Sequence, residues 1–159
     1  MLGKLKVLLD DAKISYEVYN HRTAVDAHKI ATTLHISERE IATVAILKVD
    51  GSLVMAVVPG SRLVSLASVR NGLAAKEVGA VSEEEIAARL SDSEIEAIPP
   101  FGNLFGLPVY LDPALERDET IVFNAGSCRE TIRMGYKDFK KLVRPRIVPL
   151  IYEGKRPTA

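Results

Sequence analysis

The sequence predicts an α+β fold: one compact domain in which a mixed, strongly curved, barrel-like sheet is flanked by helices. Three observations predict it. Helix-type and strand-type apolar spacings are interleaved along the 159 residues, without the regular βαβ alternation of a doubly wound fold. Two neighbouring apolar runs, Ile41–Val49 and Leu53–Val58, flank Asp50-Gly51 and hardly alternate, which reads as a hairpin covered on both faces. Finally, the stretch Ala97–Asp112, AIPPFGNLFGLPVYLD, combines two adjacent prolines and two glycines with Phe101, Leu104, Phe105 and Leu107. Neither a helix nor a central strand runs through Pro99-Pro100. So apolar a loop folds back over the domain, either as the wall of a pocket or as a buried connector between strands.

The elements follow in order. Leu2, Leu5, Leu8, Leu9 and Ala12 lie at helical spacing. Lys6 inside this apolar stretch and the acids Asp10 and Asp11 make it a helix rather than a signal peptide. Ser15–Tyr19 reads as a short strand. Asp26 is an N-cap for a helix over Ala27–Leu34, with Val25 and Ile30 at the staple positions. After the hairpin, Leu63, Leu66, Val69 and Leu73 mark a helix, and Lys76–Val81 a strand. Ser82 and Glu85 form a capping box for a helix through Leu90. Val109–Leu111 and Thr120–Asn124 are strands split by an Asp112-Pro113 turn. Ala125-Gly126-Ser127 turns the chain tightly into Thr131–Met134. A final helix carries Tyr136, Phe139, Leu142 and Val143 and stops before Pro145, after which the apolar IVPLIY packs back on the body.

Composition narrows the function. An apolar share of 47% supports a real core and argues against disorder. The single cysteine, Cys128, excludes an intramolecular disulfide and is compatible with a reducing cytoplasm. No apolar run reaches membrane-spanning length. Formal net charge is zero, so nucleic acid would be bound only through a local patch. The one basic region is C-terminal: Arg129, Arg133, Lys137, Lys140, Lys141, Arg144 and Arg146, against Glu130 and Asp138. It reads either as a track for an RNA backbone or as a solvated face.

The histidines His21, His28 and His35 recur every seven residues, which does not bring two of them onto one metal ion, and they are expected to face solvent or cap. Cys128 lacks the local signature of a cysteine hydrolase, and Gly126-Ser127 lacks the strand–GxSxG–helix context of a serine hydrolase.

Four segments together carry a family resemblance: HRTAVDAHKIA at His21–Ala31, EIATVAILKVDGSLVMAVVPG at Glu40–Gly60, PPFGNLFGLPVYLD at Pro99–Asp112, and IVFNAGSCRETIRM at Ile121–Met134. In this order and spacing they resemble the YbaK/EbsC family, the YbaK/prolyl-tRNA synthetase-associated domain. The resemblance implies that domain over residues 1–152 with a tail at 153–159, and a cytoplasmic hydrolase of mischarged aminoacyl-tRNA. It implies no metal and no cofactor. The partners implied are the tRNA 3′ end or a small aminoacyl ligand, and an aminoacyl-tRNA synthetase. In the family a lysine at the start of the first hairpin strand serves the terminal adenosine. Backbone N–H groups of a GxxxP loop serve the ester, and a ribose hydroxyl of the substrate handles the water.

Two positions depart from that pattern. Thr43 holds the lysine's place and Glu96 holds the GxxxP glycine's. Lys48 lies five residues beyond Thr43, and in a regular strand an odd separation points it to the opposite face. Thr43 and Glu96 are thus the candidate catalytic residues, with Ala97, Pro100, Phe101, Gly102, Gly126 and Ser127 as candidate substrate-binding residues. Three readings stay open. The chain is a deacylase acting on a small amino acid, or a degenerate member that binds without turnover, or a hydrolase of another ester with Glu96 as general base.

Overall fold

The computed structural model describes residues 2–21 and 27–152. The expected N-cap Asp26, its staple partner Val25 and the expected tail at 153–159 lie outside them. The helices are α1 (Gly3–Asp11), α2 (Ala27–Leu34), α3 (Leu66–Gly72), α4 (Glu83–Arg89) and α5 (Tyr136–Val143). The strands are β1 (Tyr16–Asn20), β2 (Ala42–Val49), β3 (Ser52–Pro59), β4 (Val78–Ala80), β5 (Val109–Leu111), β6 (Thr120–Asn124), β7 (Glu130–Gly135) and β8 (Arg146–Ile147).

The β2–β3 hairpin is the centre of the molecule. Its turn is made by Asp50 and Gly51, both at positive φ (47° and 86°), the twist that a tight two-residue connection needs. The Asp50 carboxylate also accepts the N–H groups of Lys76 and Glu77, at 3.0 and 2.8 Å, tying the approach to β4 against the turn. β3 is covered on both sides, as its unbroken apolar run requires. Met55 and Val57 join the main core, while Val54, Ala56 and Val58 join a second cluster with Val69, Val148 and Leu150. The C-terminal apolar stretch therefore closes the second face of the hairpin.

The strands form two sheets. A five-stranded mixed sheet has the order β4-β2-β3-β5-β8, antiparallel at β4-β2-β3 and parallel at β3-β5-β8. A three-stranded antiparallel sheet has the order β1-β7-β6. The barrel-like sheet expected from the sequence is not found: among the described residues, one bridge between Ile41 and Val122 joins the two sheets. Double-sided coverage of the hairpin is achieved by stacking apolar clusters on its two faces rather than by closure.

Capping explains several boundaries. The Ser65 hydroxyl accepts the Ser68 N–H at 3.1 Å, so α3 starts at Leu66 and leaves Leu63 exposed. The Ser82 hydroxyl accepts the Glu85 N–H at 3.2 Å, one half of the expected capping box. The Glu85 carboxylate turns to Lys48 instead, at 3.2 Å. Arg144, at φ 53°, ends α5 in the left-handed conformation one residue ahead of Pro145.

The proline–glycine loop is anchored by Phe101, fully buried between Phe123 and Phe139 with ring centroids 5.3 Å from each. A Cβ on Gly102 would lie 2.6 Å from the Leu107 carbonyl oxygen, so only glycine lets the loop close on itself there. Emptying the Phe101 site removes the ring on which two others pack. Phe101→Ala should lower unfolding free energy by about 3–5 kcal/mol, read from the urea midpoint. A loss below about 1 kcal/mol would show that the loop is not held by this ring.

Candidate active site

A turn-to-turn contact positions the site. The Gly126 N–H donates to the Ala97 carbonyl at 2.9 Å, and the Gly126 carbonyl accepts the Glu94 N–H at 3.0 Å. Gly126 has φ 96°, and an added Cβ would stand 3.0 Å from the Cβ of Leu2. Glycine is thus required by conformation and by the packing of the chain's start on this turn. Glu94 adds a side-chain clamp: its carboxylate accepts the Cys128 N–H at 3.2 Å, and that bond lowers its pKa from the ordinary value. Between these ties the chain makes one 3-10 turn, Ile95–Ala97, that carries Glu96.

Glu96 and Thr43 line one small cavity of about 80 Å³, together with Ala27, Ile30, Ile98 and Asn124. Thr43 is the second residue of β2, opposite Val58, and its hydroxyl donates to the Val58 carbonyl at 3.3 Å. Gly60 shapes the near wall, since a Cβ there would come within 2.6 Å of the Ala27 Cβ and push α2 away from the strand ends. Lys48, as the odd spacing predicts, lies elsewhere, beside Gly79 and Ala80 and paired with Glu85.

Asn124 is the residue that sequence reasoning missed. It ends β6, and its side-chain oxygen accepts the Thr131 hydroxyl at 3.3 Å. Thr131 is fully buried, and its oxygen lies 3.0 Å from His21 Nε2. With the Thr131 proton given to Asn124, His21 must hold a hydrogen on Nε2. The relay consumes the Asn124 oxygen and leaves its NH₂ group as the polar group that a ligand in the cavity can meet. The signal was present in the FNAGS run, where the asparagine immediately precedes the turn.

The other expected substrate-binding residues are placed around this cavity rather than on its lining. The N–H groups of Ala97, Phe101 and Gly126 are already spent on Glu94, Pro99 and Ala97 carbonyls at 2.8–2.9 Å, and Pro100 has none. Gly102 is buried under Leu107 and Val109. The Ser127 hydroxyl accepts the Arg129 N–H at 3.1 Å, a local turn bond. Of these, Ala97 and Gly126 are bonded to the segment that carries Glu96. The histidines stand apart: His21 in the relay, His28 2.6 Å from Glu38, and His35 at positive φ just after α2.

The chain's likeness to solved structures defines the fold first. It matches the hypothetical protein APE2540 with a TM-score of 0.83 at 15% identity, covering 94% of this chain and 99% of that one. It matches a candidate trans-editing enzyme for prolyl tRNA synthetase with a TM-score of 0.80 at 17% identity, covering 94% and 95% of the two chains. A structure from computational grafting of linear epitopes onto scaffold proteins matches at 0.83 and 16% identity, covering 95% and 97%. No curated protein matches the chain. Residues 21–142 match the model of the aminoacyl-tRNA editing domain, and the chain belongs to that family, the one its sequence motifs resemble.

Cys128 can be tested as a rival nucleophile. Burial, reinforced by the Glu94 carboxylate, pushes its thiol from 9.0 up to about 11. At pH 8 a thiol titrating at 11 holds roughly a hundredfold less thiolate than one at 9. Iodoacetamide should therefore alkylate Cys128 at least tenfold more slowly in the native protein than in urea. Equal rates would return the thiol to the list of nucleophiles. The linkage runs the same way: the folded pKa is the higher one. The stability this group confers is complete below pH 9 and is lost as pH rises through about 11.

Proposed function

We propose that the chain is an aminoacyl-tRNA deacylase that hydrolyses, in trans, the ester of a tRNA mischarged with a small amino acid. The observation that carries this reading is the cavity itself: in a member of the editing-domain family, Thr43, Glu96 and Asn124 converge from three separate elements on one small space. A space of about 80 Å³ suits a small side chain better than a leucine or phenylalanine. An aminoacyl ester is activated, so catalysis needs a positioned water and a donor at the developing oxyanion more than a protein nucleophile.

The roles follow from what each group has left to give. The Thr43 oxygen keeps a lone pair for a hydroxyl of the terminal adenosine while its proton is held by Val58. The Asn124 NH₂ supplies the donor at the ester carbonyl. The Ala97 and Gly126 backbone groups supply rigidity. As the water attacks the ester carbonyl, the neighbouring ribose hydroxyl of the substrate takes its proton while passing its own to the departing ester oxygen, and Glu96, on the exposed rim, bounds the space. The competing reading, a binder without turnover, draws on the replacement of a lysine by Thr43 and on the negative charge of Glu96.

A panel of mischarged tRNAs separates the two. Turnover above spontaneous hydrolysis is expected for at least one small amino acid and for none with a large side chain, and background rates throughout would leave only binding. Asn124→Asp keeps the acceptor for Thr131 but loses the donors, so kcat should fall about a hundredfold with the fold intact. Glu96→Gln should leave the rate within about twofold. A collapse there would make Glu96 the general base instead.

A further inference from the structure

A cavity of about 550 Å³ opens at the neighbouring strand end, and its wall carries three arginines far apart in sequence. Arg39 comes from the 3-10 turn ahead of β2, Arg62 from the chain just after β3, and Arg117 from the 3-10 helix Pro113–Arg117. The two cavities share the strand ends. Ala42, on the small cavity, is the register partner of Pro59, on the large one, and the Gly60 N–H donates to the Ile41 carbonyl at 2.7 Å.

The charges in the large cavity are unequally engaged. Arg39 Nε lies 3.5 Å from Asp118 Oδ2, a carboxylate oxygen that is buried and otherwise unbonded. Asp112, the carboxylate in the wall, is buried and accepts the N–H groups of Ala114 and Leu150, both at 2.9 Å. Arg117 is exposed, and among the described residues no carboxylate pairs with it. The planar guanidinium fork matches the oxygens of a phosphate better than any other common surface group does. By contrast, in the basic C-terminal segment Lys140 is held by Glu116 at 2.9 Å and Arg133 lies 3.8 Å from Glu40.

We propose that this cleft binds the phosphodiester groups just ahead of the 3′-terminal adenosine, with Arg117 as principal contact and Arg39 and Arg62 flanking it. The proposal rests on the deacylase reading for the placement of the adenosine. It explains how a site with Thr43 in place of a lysine, and with Glu96 at its rim, still attracts a polyanion: the positive charge stands one strand-end away.

The test is binding of uncharged tRNA, followed by fluorescence anisotropy over a range of salt. Arg117→Ala should weaken binding about tenfold at low salt and make the slope of log K against log salt shallower by roughly 0.7, the share of one contact to a single strand. Arg117→Lys should restore part of both. Arg70→Ala, which removes the same charge beside β4, should change neither. A short single-stranded RNA with a free 3′ end should displace the tRNA, and inorganic phosphate at the same concentration should not.

Arg117→Ala binding like wild type, or Arg70→Ala losing as much, overturns the proposal. Equal displacement by phosphate overturns its RNA-backbone form. Failure here is distinguishable from failure of the deacylase reading. Turnover with a KM insensitive to Arg117→Ala sinks only the cleft, and Arg117-dependent binding without turnover sinks only the enzyme.

Discussion

Gly126 exchanges two backbone hydrogen bonds with the segment ahead of the proline pair, and the position of Glu96 depends on that exchange. A residue with a side chain meets two obstacles at once there: a positive φ and the backbone and side chain of Leu2. The same turn receives the start of α1, since the Leu2 N–H donates to the Ala125 carbonyl at 2.8 Å. Both partners of the contact rest on the aromatic core. Phe123 belongs to β6, which runs into the turn, and Phe101 follows the prolines. Packing of two rings thus sets the separation of two loops, and the loops set where a carboxylate meets a strand end.

The elements were legible in the sequence where one local signal decided them. Asp50-Gly51 between apolar runs specified the hairpin, and Ser65 and Ser82 specified helix starts through their hydroxyls. Family spacing pointed to Thr43 and Glu96 as the two departures from the pattern, and both line the small cavity. The division into two sheets was not. It turns on whether strands far apart in sequence extend their pairing past the single Ile41–Val122 bridge, and no local pattern encodes that. Burial follows residue type along the loop, with Phe101, Phe105 and Leu107 inside and Asn103 outside, but the choice between pocket wall and buried connector was not legible: Phe101 is a core anchor.

The least legible features are those assembled from distant positions. The His21–Thr131–Asn124 relay joins the two sides of the β1–β7–β6 sheet, and it matters because it commits the Asn124 oxygen and frees its donors. The arginines at 39, 62 and 117 form no run in the chain. The visible run, at the C-terminus, includes residues that acidic neighbours have already engaged. A zero net charge therefore says little about the local field at the site. The chemistry that remains is spare: a satisfied threonine, one carboxamide with free donors, and a rim carboxylate. Such a set suits an activated ester whose own hydroxyl helps in its hydrolysis.

The most direct measurement compares wild type with Thr43→Lys/Glu96→Gly, which rebuilds the family pattern, in single-turnover deacylation of a tRNA carrying a small amino acid. The account predicts a wild-type rate clearly above spontaneous hydrolysis and a gain of no more than about tenfold in the double variant, about 1.4 kcal/mol of transition-state stabilisation. A wild type at background beside an active double variant would contradict it, showing a pocket that kept its shape and lost its reaction.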